Sequence, residues 1–251
     1  MRYRLDVLAA ALLFSTGGAA LKVTTLPPWQ VAGLRSLVAA LVVLAIVPGS
    51  RALSGVHTWL AAAAYALTVL LFALANRLTT AASAIFLQAT APAWLMLLAP
   101  RLLGEPVRPR DVWVGAATAV GMGLALFDRP PATALATNPL LGNVLAATTG
   151  LTWALTVVAI RRAEHGEGRS SMPVVAAGNL LAFPAALPLM GPPRAPAVGD
   201  VAALLYMGTF QVAFAYLLMA RGVRHVPAIE ASLIVLCRTR RRNNTSSARP
   251  T

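Results

Sequence analysis

A few polar side chains inside long apolar stretches are the residues of this chain best suited to chemistry. Gln88 and Gln211 fall near the middle of such stretches, and Tyr65, Trp153 and Tyr206 add aromatic rings with polar tips. Lipid cannot satisfy a buried amide, so these groups should face a cavity or another helix. Small-molecule pockets are mostly apolar with a few directional polar groups. We predict that all five bind a substrate, although packing between helices would explain them equally well.

Two charged residues, Arg35 and Glu230, also lie within apolar stretches. A charge in the membrane interior is costly and usually marks function. Both residues, however, stand near one end of their stretch, where a long side chain can extend to the interface. The sequence therefore favours a structural role for both.

Catalytic and nucleotide-driven functions find little support in the residue types. The eight acidic residues are scattered, and the three histidines fall between the apolar stretches. Paired carboxylates or clustered metal ligands would be needed for most hydrolytic chemistry. A phosphate-binding loop needs Gly-Lys-Ser or Gly-Lys-Thr, and the only lysine, Lys22, follows Leu21. We expect no cofactor and no ATP-driven pump, and an intramembrane enzyme remains the weaker hypothesis.

The chain has a mean hydropathy of +0.70 and only 12% charged residues. The spacing of these charges indicates which segments form the helices that hold the polar residues. A membrane helix needs about 20 uncharged residues. Charge-free windows of 25, 23, 31, 24 and 20 residues follow Arg51, Arg77, Arg129, Arg169 and Asp200. Three further segments lie near Leu5–Leu21, Trp29–Val47 and Val112–Phe127. The pattern predicts eight membrane spans.

Basic residues are distributed unequally between alternate connections. With a cytoplasmic amino terminus, 11 basic residues fall on cytoplasmic connections and four on the opposite ones, as the positive-inside rule requires. This placement explains the net charge of +13 better than nucleic-acid binding does. We predict a multi-pass protein of the inner or plasma membrane, whose partners are the lipid bilayer and a small-molecule substrate. A homodimer remains an alternative.

Several segments carry a family resemblance. In the first half they are Phe14–Gly18 ending in Lys22, Gly33–Arg35, and Thr79–Pro92. In the second half they are Gly142-Asn143, Trp153, Tyr206 to Tyr216, and His225–Leu233. Together they resemble the EamA-type branch of the drug/metabolite transporter superfamily. The resemblance implies ten helices in two inverted sets of five. It also implies transport of amino acids, metabolites, nucleotide sugars or drugs.

The expected fold class is all-α, a polytopic membrane helical bundle of inverted five-helix repeats. Residues 1–127 form the first repeat, 128–237 a second, incomplete repeat, and 238–251 a basic polar tail. The segment Val226–Cys237 would reach only about 18 Å as a helix, so we predict a short ninth stub that does not cross and a cytoplasmic tail. The sudden switch to a polar tail suggests that the chain is a truncated or frame-shifted reading of a ten-helix ancestor.

The expected function is secondary transport, with export of a small metabolite by alternating access between inverted halves. Pro92 and Pro184 interrupt spans and should kink them, which would provide bending points. A non-transporting membrane protein, or one that needs a partner to complete the bundle, is the alternative.

Overall fold

The computed structural model describes residues 2–127, 137–166, 170–192, 194–232 and 234, which form helices and short connections without a β-strand. The all-α prediction is confirmed for this part of the chain. Its α-helices are α1 Arg2–Val23, α2 Pro28–Ile46, α3 Val56–Leu78, α4 Ala81–Gln88, α5 Ala91–Leu103, α6 Pro109–Phe127, α7 Pro139–Arg161, α8 Met172–Ala186, α9 Val198–Tyr206 and α10 Ala215–Val223.

Local sequence fixes several helix ends. Thr80 caps α4, where its Oγ1 accepts a hydrogen bond from the Ser83 amide at 3.1 Å. Asn138 caps α7 in the same way, with Oδ1 accepting from the Leu141 amide at 3.2 Å. Such side chains satisfy amides that have no partner within the helix. Helix α5 ends at Gly104, whose φ of +66° favours glycine.

Two apolar stretches depart from regular α-helix. Residues 89–90 separate α4 from α5, and Pro92 stands in the first turn of α5, so the predicted kink is a break between two helices. The π-helical segment Met207–Phe214 joins α9 to α10. Such segments are rare and often lie at functional sites. Helix α8 continues through Pro184 and ends at Ala186.

Six helical stretches of the described chain are long and apolar enough to cross a membrane. They are Trp29–Ile46, Val56–Asn76, Ser83–Leu103, Pro139–His165, Met172–Leu189 and Val198–Val223. Helices α1 and α6 are not among them. Helix α1 carries Arg2, Arg4 and Asp6 near its start, and α6 carries Arg110 and Asp111 near its start. The count of eight spans therefore stays a prediction.

Extensive helix packing joins the two halves of the chain. Helix α3 packs against α7 and α8, α2 packs against α8, and α1 packs against α10. The largest core cluster draws on both halves and includes Val7, Val43, Tyr65, Leu95, Ile160 and Met219. Helix α6 lies at the periphery, where Trp113 is 79% exposed. The interior of the bundle is thus an interface between the halves.

The segment after α10 packs on one end of the bundle. Residues 228–232 are helical, and the Ala228 amide donates to Glu105 Oε2 at 3.0 Å. Glu230 forms an ion pair with Arg4 at 2.8 Å and a longer one with Arg108 at 3.6 Å. The predicted tail, 238–251, lies wholly outside the described residues. At the predicted repeat boundary, residue 127 is described and residue 128 is not.

Candidate functional site

Polar side chains from both halves meet inside the bundle. Helices α2 and α3 contribute from the first half, and α7, α8, the π-helical segment and α10 contribute from the second. The residues, which we call the central polar cluster, are Arg35, Tyr65, Trp153, Asn179, Gln211 and Tyr216. Six side chains of this kind offer hydrogen bonds and charge that lipid cannot satisfy.

Tyr65 lies at the centre of this cluster and is 2% exposed. Asn179 Nδ2 donates to the Tyr65 hydroxyl at 3.0 Å. The ring of Tyr216 meets Tyr65 edge-on, with centroids 5.1 Å apart at 60°. Gly178 makes room for this ring, because a Cβ there would lie 2.5 Å from Tyr65 Cδ1. The tyrosine is therefore held by contacts on several sides.

Arg35 points into the bundle and not toward the end of α2. Its Nη1 donates to Gln211 Oε1 at 3.4 Å, and the hydroxyls of Tyr65 and Tyr216 lie within electrostatic range of its guanidinium. Helix α2 approaches the π-helical segment closely, since a Cβ at Gly208 would lie 2.9 Å from the Arg35 carbonyl oxygen. The interfacial position that the sequence favoured for Arg35 is therefore not the one observed.

Three of the five predicted binding residues belong to the cluster. Tyr65 and Gln211 make the contacts above, and the partly buried Trp153 interacts with the Tyr216 hydroxyl. Near Trp153, Thr68 on α3 donates to Thr152 Oγ1 on α7 at 2.8 Å, which holds the two helices together. The structure thus brings Tyr65, Trp153 and Gln211 together.

The other two predicted residues lie elsewhere. Gln88 is the last residue of α4, and a Cβ at Gly150 of α7 would lie 3.3 Å from its carbonyl oxygen. The Tyr206 hydroxyl donates to Thr16 Oγ1 at 3.0 Å, and its ring stacks on Phe210. Tyr206 is 37% exposed. Among the described residues, no hydrogen bond or ring contact joins either side chain to the cluster. The role of Gln88 and Tyr206 in binding stays a prediction.

Sequence reasoning missed two members of the cluster, Asn179 and Tyr216, and placed a third, Arg35, at the interface. Asn179 stands in a charge-free stretch, as Gln88 does, so the amide argument could have found it. Tyr216 lies ten residues beyond Tyr206, and only the helix geometry shows which of the two rings faces inward. Arg35 was visible as an intramembrane charge.

A second polar network closes one end of the bundle. Arg161 Nε donates to Glu105 Oε1 at 2.6 Å, and Arg161 Nη1 donates to the Val223 carbonyl. Glu105 Oε2 accepts from the Ala228 amide. This end network joins the α5–α6 connection to α7, α10 and the helical segment 228–232. It lies at the end that the charge bias predicts to be cytoplasmic.

The central polar cluster offers binding groups: a cationic donor, amide groups and aromatic walls. These suit the recognition of a small polar solute. Within the described residues, no group of three or more His, Cys, Asp or Glu side chains could hold a metal ion.

Comparison with known proteins relates the chain to a family and to a fold. A family model described as the EamA-like transporter family matches residues 4–127 and 140–238. One solved structure, described only as "Crystal structure of protein", has a TM-score of 0.73 and 19% sequence identity, covering 99% of this chain and 90% of that chain. At that identity the likeness concerns the fold alone. No curated protein matches the chain.

Proposed function

Because this chain belongs to the EamA-like transporter family, we propose that it is a secondary transporter that exports a small metabolite, amino acid or drug by alternating access. The observation that carries this proposal is the central polar cluster. Its side chains come from both halves and lie where lipid could not solvate them. A solute bound there would contact both halves, so their relative movement could expose it to each side in turn.

The proposed architecture is an inverted pair of helical repeats. Residues 1–127 form the first repeat and 128–237 the second, incomplete one. The two stretches matched by the family model, 4–127 and 140–238, support this division. The broken helix α4–α5 and the π-helical segment in α9–α10 occupy the first and second halves, respectively, and irregular helices commonly accompany transporter sites.

The proposed location is the inner or plasma membrane, with the amino terminus in the cytoplasm. Arg4, Arg108 and Arg161 gather at one end of the bundle through their contacts with Glu230 and Glu105. A cluster of arginines on one side supports a cytoplasmic assignment for that side. The bilayer surrounds the exposed apolar faces, and a homodimer remains compatible with this arrangement.

Flux through proteoliposomes tests the function directly. The purified chain is reconstituted, and the movement of amino acids, organic acids and cationic drugs is followed under an imposed solute or proton gradient. We expect saturable flux of at least one solute class. A folded, correctly inserted protein that moves none of them, as monomer or dimer, would favour the non-transporting alternative.

Removing the Tyr65 hydroxyl tests whether the central polar cluster is the substrate site. Tyr65→Phe removes the acceptor for Asn179 Nδ2 and should lower flux about tenfold, as expected for one buried hydrogen bond of roughly 1.4 kcal/mol. Trp113→Phe, on the exposed side of α6, should leave flux near that of the wild type. Equal rates for both variants would place the substrate elsewhere.

A further inference from the structure

Arg35 is a cation in the interior of the bundle. It lies seven residues from the start of α2 and eleven from its end, which is about 10 Å and 16 Å along the helix axis. Of the ion pairs among the described residues, which join Glu230 to Arg4 and Arg108 and Glu105 to Arg161, none includes Arg35. Its one hydrogen bond to a described residue is long, at 3.4 Å, and goes to the neutral Gln211. A guanidinium at this depth requires an anion to balance its desolvation.

A second polar group of the cluster, the Asn179 side-chain amide, is only partly satisfied. Asn179 is 1% exposed, and its Nδ2 donates to the Tyr65 hydroxyl and the Val175 carbonyl. Its Oδ1 is buried and receives no hydrogen bond from any residue that the structure describes. Buried polar atoms almost always find a partner. Asn179 Oδ1 is therefore an acceptor whose donor is absent from the described part of the bundle.

Tyr65 connects the two groups. Its hydroxyl accepts from Asn179 and lies within electrostatic range of Arg35. A cation and a free acceptor therefore flank one aromatic side chain, with Tyr216 and Trp153 beside it. Arg35, Trp153 and Gln211 are only partly buried, so part of the surface of each residue stays accessible.

We propose that Arg35 is the anion-binding residue of this site and that the substrate is a small organic carboxylate with a second hydrogen-bond donor. The carboxylate pairs with the Arg35 guanidinium, which presents parallel N–H groups that match two oxygens. A hydroxyl or amino group of the substrate donates to Asn179 Oδ1. This assignment rests on the proposed transport function, because it names the substrate class of the same site.

The test compares carboxylates with their own amides. Thermal stabilisation of the purified full chain in detergent is measured with lactate, 3-phenyllactate and alanine, and with the carboxamide of each. We expect at least one carboxylate to raise the unfolding midpoint in a saturable way and its carboxamide to bind at least about tenfold more weakly, as the loss of a charge-assisted pair implies. Equal responses to acid and amide, or no response to any acid, would overturn the proposal.

Two variants assign the effect to Arg35. Arg35→Gln should abolish the preference for the acid over the amide. Gln211→Glu changes one atom and places a carboxylate beside the guanidinium, so it should raise the unfolding midpoint of the free protein and block the added acid. If Arg35→Gln fails to fold, Gln211→Glu still decides, because an unchanged midpoint and unchanged acid binding would contradict the proposal.

These results separate this proposal from the transport function. Acid-selective binding without flux in proteoliposomes would retain the Arg35 assignment and refute transport. Flux of neutral or cationic solutes that is equal in wild type and Arg35→Gln would retain transport and refute the assignment.

Discussion

Replacing Glu105 by glutamine is expected to lower the unfolding midpoint by on the order of 10 °C. The two carboxylate oxygens accept separately from Arg161 Nε and from the Ala228 amide. Glutamine has one acceptor oxygen for these two donors, and it leaves the Arg161 side chain, which is 6% exposed, without its counter-charge. Breaking a buried ion pair on one side costs about 3–5 kcal/mol. Thermal unfolding in detergent measures the change.

Two further variants test whether the burial of the Glu105–Arg161 ion pair causes this loss of stability. Arg4→Gln breaks an ion pair with Glu230 in which Arg4 is 63% exposed, and such pairs contribute about 0–1 kcal/mol. It should leave the midpoint within a few degrees of the wild type. The double variant Glu105→Leu with Arg161→Leu should recover part of the loss, because it leaves no uncompensated charge. A Glu105→Gln protein as stable as Arg4→Gln would refute the importance of the end network.

Gly142→Val is expected to disrupt the junction between the end of α3 and the start of α7. A Cβ at this position would lie 2.7 Å from the Thr79 amide nitrogen and 2.8 Å from the Leu78 carbonyl carbon. Backbone atoms cannot move aside as a flexible side chain can, so the two helices must separate. Overpacking typically costs about 1–3 kcal/mol. We expect a lower unfolding midpoint and a smaller folded fraction on size-exclusion chromatography.

The junction also depends on hydrogen bonds that the separation would lengthen. The Asn138 amide donates to the Leu78 carbonyl at 3.0 Å, and Thr79 Oγ1 donates to Asn143 Oδ1 at 2.7 Å. Gly123→Val in α6 is the matched control, since a Cβ there meets nothing within 4 Å and the change in helix propensity is the same. Similar midpoints for the two valine variants would contradict the close approach.

The helices could be predicted from the sequence because charge is expensive in lipid. The window after Arg51 became α3, Val56–Leu78, and the window after Arg169 became α8, Met172–Ala186. The α4–α5 break and the π-helical segment were not predicted as such. Pro92 indicated a kink, but amino-acid composition does not indicate where a helix changes from α to π geometry, as it does at Met207–Phe214. The π-helical segment arises where α2 and the later helix pack closely.

The site was predictable in part. Polar groups inside an apolar stretch were expected to face a cavity or another helix, and Tyr65, Trp153 and Gln211 do lie in one cluster. Their binding of a substrate stays a prediction. The same argument could not rank Tyr206 against Tyr216, because their facing depends on the π-helical segment between them. The sequence placed Arg35 at the interface because it lies near one end of its apolar stretch. Its observed position follows from the packing of α2 against α8 and the π-helical segment.

Accessibility of the central polar cluster from each side of the membrane tests the account most directly. Cys237, the only native cysteine, is replaced by serine, and Gln211→Cys is added to this cysteine-free protein. The variant is then prepared in sealed right-side-out and inside-out membrane vesicles. A membrane-impermeant thiol reagent should label residue 211 in both preparations, while Ser54→Cys on the exposed α2–α3 connection should label in only one. Labelling of residue 211 from a single side, or from neither, would contradict alternating access.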